Sequence, residues 1–145
     1  MSSPQAAVGV VQLKKINHFN LKRLKISNLF QQTISKCELL DNLYIEKNSK
    51  SSCHLFCFFI KQNKYGNNQD FIKILDEKFK IKIVNRFFPM NLSSIMRTKQ
   101  TSANLAPINL KVWFNELISL PIYPQMRKIE INYIRNSIIK THDII

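Results

Sequence analysis

Glycine is nearly absent: Gly9 and Gly66 are the only two in 145 residues. Two glycines cannot build the usual phosphate-cradling loop, in which bare backbone must approach the phosphate at several positions. Acidic residues are also few, nine against 22 lysines and arginines, and none precedes Glu38. No apolar run reaches the ~18 residues of a membrane-spanning helix; the densest stretch, residues 55–60, is strand-sized. The stretch 6–11 has no basic flank before it, so no secretory leader is expected. Cys37, Cys53 and Cys57 are too few, and odd in number, for a secreted disulfide framework, and they suit a reducing or matrix-like compartment. His-Glu-x-x-His and Gly-x-Ser-x-Gly runs are both missing, and His18, His54 and His142 are read as lacking an acidic orienting partner nearby. The chain is therefore expected not to be an enzyme, with no cofactor, no metal and no small-molecule substrate.

What is present is positive charge, +13 in all. Self-repulsion at that level works against an isolated compact domain. It becomes useful beside a polyanion, because each neutralised phosphate releases counterions. At 45% hydrophobic residues the chain can still bury one core. The bias towards Ile, Asn, Lys and Phe, all with AT-rich codons, points to an AT-rich genome or an organelle lineage. An acid-free start carrying Lys14, Lys15, Lys22, Arg23 and Lys25 suits either a targeting segment or an RNA-binding arm.

The hydrophobic pattern divides the chain further. Residues 1–28 form the basic arm or targeting segment, with 13–28 either an amphipathic helix or an extended stretch that orders on its partner. Residues 33–43 read as a short helix and 55–60 as a buried strand. A helix is expected over 70–79, where Phe71, Ile72, Leu75 and Phe79 share a face. Alternation over 80–84 predicts a strand with Ile81 and Ile83 on one side and Lys80 and Lys82 on the other. Residues 89–126 form a long basic loop or insert with a helix over 109–119, carrying Trp113 and Phe114. Alternation over 127–134 predicts a last strand, Ile129, Ile131 and Tyr133 against Lys128, Glu130 and Asn132. Residues 135–145 are a tail. The expected fold is α+β: a small two-layer domain over 29–134, a mostly antiparallel sheet with helices on one face and an extended N-terminal arm.

This order resembles the universal large-subunit ribosomal protein family number twenty-three. Ile34-Ser35-Lys36-Cys37 stands where that family has Thr-Glu-Lys-Ser. Residues 54–60 stand at its first strand, and Ile72-Lys73 opens its helix. Phe79-x-Ile81-x-Ile83 is similar to its helix-to-strand junction, and Arg127-Lys128-Ile129 to the start of its final strand. The resemblance covers about residues 29–89 and 125–134. It implies a structural constituent of the large ribosomal subunit, bound to large-subunit ribosomal RNA near the polypeptide exit tunnel. The neighbours it implies are ribosomal protein family number twenty-nine and the nascent chain. Divergence and composition favour a mitochondrial ribosome, in the matrix. The alternative is an accessory structural subunit of an inner-membrane respiratory complex, docked through the helix around Trp113.

Lys36, Lys80, Lys82, Arg86, Arg97, Lys99 and Lys128 are the residues expected to contact RNA backbone. Each one alone reads equally well as a solvated cation. Trp113, Phe87 and Phe88 read as core or interface rather than base-stacking platforms. Cys37, Cys53, His54 and Cys57 have zinc-ligand chemistry, but their spacing suits small thiols packed beside a Phe-rich strand.

Overall fold

The computed structural model describes residues 2–61, 68–83, 94 and 116–145. Helix α1 runs over Ser3–Ile34. Its start carries Pro4, whose missing N–H costs nothing in a first turn, and Gln5 Oε1 accepts the Ser2 N–H at 3.0 Å. At its other end Asn42 Nδ2 donates to Gln31 O at 3.2 Å and Ser35 Oγ at 2.8 Å, tying the last turn to the strand that follows. That strand, β1 (Leu40–Asn42), pairs antiparallel with β2 (Phe56–Ile60), Leu40 opposite Ile60. Helix α2 spans Asn68–Phe79. Strand β3 (Leu117–Leu120) pairs antiparallel with β2, Phe58 opposite Ile118, so the sheet order is β1-β2-β3. Helix α3 (Lys128–His142) follows Pro121 and Pro124.

The core is built by two periods. In β2, Phe56, Phe58 and Ile60 are buried and alternate with the half-buried Cys57 and Phe59. Strand β3 is buried at every position, so both its faces are covered. Helices supply Ile26, Phe30 and Ile34 from α1, Phe71 and Leu75 from α2, and Ile131, Ile134 and Ile138 from α3. Phe30 meets Phe56 edge-on at 5.3 Å between ring centres, and Phe58 meets Phe71 edge-on at 6.0 Å. Buried hydroxyls are satisfied locally: Thr141 donates to Ser137 O, Ser137 to Tyr133 O and Thr33 to Leu29 O. Thr33 Oγ1 also accepts Arg135 Nε at 2.8 Å, which pins α1 to α3.

Strand β2 and helix α2 stand where their patterns put them, and residues 13–28 take the helical one of their two readings; several other segments differ. The N-terminal arm is the first part of the single helix α1. The short helix over 33–43 is instead the end of α1, a turn and β1. Thr33 is buried in the last turn of α1. The 80–84 stretch carries no strand through residue 83. Lys80 adopts φ 54°, which reverses the chain after α2: Lys80 N–H bonds to Asp76 O and Ile81 N–H to Leu75 O. Ile81 is buried and Lys82 exposed beside it, although neither lies in a strand. A non-glycine residue in that left-handed region costs about 1 kcal/mol.

Residues 127–134 form not a strand but the first half of α3. Ile129 points out, 71% exposed, while Ile131, Ile134, Ser137, Ile138 and Thr141 are buried at helical spacing. Residues 117–119, expected to end a helix, belong to β3; residues 109–115 of that predicted helix, with Trp113 and Phe114, lie outside the described residues. Lys80, Lys82 and Lys128 therefore lie on no sheet face.

Candidate functional site

The turn after α2 and the start of α3 enclose a groove of about 420 Å³. Its walls are Lys80, Ile81 and Lys82 on one side, Pro121, Tyr123 and Met126 at one end, and Ile129, Glu130, Tyr133 and Ile134 of α3. Tyr133 Oη donates to Phe79 O at 2.8 Å, fastening α3 to the end of α2 across the groove. Glu130 caps α3: it accepts the Arg127 N–H at 2.7 Å and the Arg127 guanidinium at 3.1 Å. The guanidinium hydrogen bond first, and then the backbone one, hold the Glu130 carboxyl below its ordinary range. The same side-chain bond raises Arg127. Both groups lie at the surface, so the pair orients the helix start more than it stabilises it.

Of the residues expected to bind RNA, the structure brings Lys80 and Lys82 together at this groove. Lys36 lies at the far end of α1, and Lys128 opens α3 outside the groove lining. Arg86, Arg97 and Lys99 lie outside the described residues. The thiols and imidazoles stay apart: among the described residues no three His, Cys, Asp or Glu side chains gather as metal ligands. Burial, and then the Asp143 charge, raise the Cys37 thiol, whose Sγ donates to Thr33 O. It is a packed, protonated thiol rather than a nucleophile. The reading of the histidines needs one correction: Asp143 adjoins His142 and its Oδ1 lies 3.3 Å from Nδ1. The pair is at the surface and the other ring nitrogen accepts the Leu39 N–H at 3.5 Å, a helix-end tie to β1.

Residues 1–139 match the sequence pattern of the DegT/DnrJ/EryC1/StrS aminotransferase family. The chain belongs to that family. A curated relative is the spore coat polysaccharide biosynthesis protein SpsC of Bacillus subtilis, 24% identical over 124 residues, covering 84% of this chain and 32% of SpsC. Helicobacter pylori PseC, an aminotransferase involved in the biosynthesis of pseudoaminic acid, superposes with a TM-score of 0.83 at 22% identity, over 97% of this chain and 37% of PseC. NtdA from Bacillus subtilis, solved with bound cofactor PMP, gives 0.82 at 16% identity, over 96% of this chain and 32% of NtdA. This chain thus spans about a third of the length of these relatives, and its fold is that of the matching third of an aminotransferase.

The family overturns the ribosomal resemblance. Membership over nearly the whole chain replaces a likeness built from short motifs, two of which rested on stretches that carry no strand among the described residues. Ribosomal RNA, ribosomal neighbours and the respiratory alternative are withdrawn with it, as is the expectation of a protein outside enzyme families.

An aminotransferase family implies pyridoxal phosphate, which needs an enclosed lysine for its Schiff base and a charged partner for the ring nitrogen. The described residues do not fit that requirement. Every lysine among them is exposed, and no acidic side chain is buried. The signal that could have been followed was the helical spacing of 131–141.

Proposed function

We propose that this chain is part of a pyridoxal-phosphate-dependent sugar aminotransferase, and that its described residues are not the ones that hold the cofactor. The observation that carries the reading is the family match over residues 1–139, on a chain with the fold of one third of an aminotransferase. The relatives' roles in polysaccharide and pseudoaminic acid synthesis support a sugar as substrate. An aminotransferase makes an amine from a carbonyl, so the sugar it accepts is a keto sugar.

What the described residues contribute is shape and charge. The groove beside Lys80 and Lys82 is apolar at its base, with Ile81, Met126 and Ile134, and cationic on one rim. The Tyr133–Phe79 bond and the Arg127–Glu130 cap fix the groove wall formed by α3.

The test is an amino-transfer assay on the protein purified in its native assembly, given pyridoxal phosphate, an amino-acid donor and a nucleotide-linked keto sugar. The expected result is aminated sugar formed only with cofactor present. A native assembly that binds no cofactor and aminates no keto sugar would contradict the proposal.

A further inference from the structure

One imidazole joins two segments that lie far apart in the chain. His142 is the last residue of α3, and its ring touches the joint between α1 and β1. The Leu39 N–H donates to Nε2 at 3.5 Å, across 103 positions of sequence. Nδ1 lies 3.3 Å from Asp143 Oδ1. The two contacts together select a tautomer. Asp143 accepts the proton on Nδ1, which leaves the Nε2 lone pair to accept the Leu39 N–H. A neutral ring satisfies both contacts at once. A protonated ring does not, because Nε2 then presents an N–H of its own to the Leu39 N–H.

The joint has few other ties. Leu39 is half-buried, and its carbonyl accepts the Lys61 N–H at 2.8 Å, one step beyond the pairing of Leu40 with Ile60. Strand β1 has three residues and forms an edge of the sheet. Losing the bond at Leu39 therefore loosens an edge and leaves the core intact. Charged and titratable groups surround the ring on each element it meets. The end of α3 carries Lys140 and Asp143, and the joint carries Lys36, Cys37 and Glu38. Asp41 of β1 and Lys61 after β2 pair with each other at 3.3 Å, and Lys61 Nζ also donates to the Glu38 carbonyl at 3.0 Å. Cys37, raised by burial and then by Asp143, stays a neutral thiol while histidines titrate. The His142 side chain is 21% exposed, so solvent reaches it with a proton.

We infer that His142 is a proton-operated clasp between the end of α3 and the α1–β1 joint. The neutral ring closes it. A proton added at Nε2 opens it: the imidazolium keeps Asp143 as its partner, and the Leu39 N–H passes to water. Histidine side chains take up that proton between about pH 8 and about pH 5. The joint is therefore tight at the upper end of that window and loose at the lower end. The inference stands on contacts within this chain and is independent of the aminotransferase reading.

Amide hydrogen exchange of the full chain in its native assembly tests it, after correction for the intrinsic pH dependence of exchange. Protection of the Leu39 amide is expected to fall about tenfold between about pH 8 and about pH 5, while that of Phe58 in β2 holds. In His142→Ala the acceptor is missing at every pH, so Leu39 is expected to be equally unprotected at both ends. Leu39 protection that ignores pH in the unsubstituted chain would overturn the inference. So would a step that survives in His142→Ala, or a parallel loss at Phe58, which would mean general acid unfolding. Nitrogen NMR spectra of histidine-labelled protein give a second reading. The His142 signals, identified by their absence from His142→Ala, are expected to show a proton on Nδ1 and none on Nε2 at about pH 8. A ring protonated on Nε2 at that pH has no acceptor for Leu39, and that result also contradicts the clasp.

Discussion

Phe58→Ala is expected to lower unfolding stability by about 3–5 kcal/mol, the range for deleting a fully buried phenylalanine. Phe58 has no exposed surface, sits at the centre of β2 and lies opposite Ile118 of β3. Its ring meets Phe71 edge-on and lies 6.5 Å from Phe56, so one truncation loosens the sheet and α2 together. Against the 5–15 kcal/mol typical of a whole domain, that loss removes about a fifth or more. Urea denaturation followed by circular dichroism measures it. A midpoint shift corresponding to less than about 1 kcal/mol would mean that Phe58 is not at the centre of the core.

Asn136→Pro is the second large effect. Asn136 is exposed, in the interior of α3, and its side chain makes no packing contribution to the core. Proline there removes a backbone hydrogen bond and clashes with the preceding turn, at a cost of about 3 kcal/mol or more. If residues 127–134 were a strand and 135 onwards a tail, the same substitution would be nearly silent. The same denaturation measurement decides between the two.

The reasons for the sequence reading's mixed outcome are visible in particular residues. The β2 segment was legible because Phe56, Phe58 and Ile60 alternate inside a short run with no competing helical period. Helix α2 was legible because Phe71, Leu75 and Phe79 repeat every four residues behind an acidic first turn. Helix α3 was not, because Ile129, Ile131 and Tyr133 alternate over a window too short to separate the periods. Extending it to Ile138 and Thr141 favours the helix. The full extent of helix α1 was hidden, because its apolar residues before Ile26 form no single amphipathic face. The left-handed Lys80 breaks an alternating run where no glycine announces a turn. Function was obscured for a different reason. A high net charge was assigned to nucleic acid, although the basic flank of α1 is as well suited to an acidic protein surface.

The central claim is that this chain belongs to a pyridoxal phosphate enzyme whose cofactor is held by none of the residues described here. Borohydride reduction of the active, cofactor-loaded assembly fixes the cofactor to its lysine, and peptide mass mapping locates it. The pyridoxyl-lysine is predicted to fall on none of the described lysines of residues 2–61, 68–83 and 116–145. A stoichiometric adduct on any of them, Lys80 or Lys82 above all, would contradict the account.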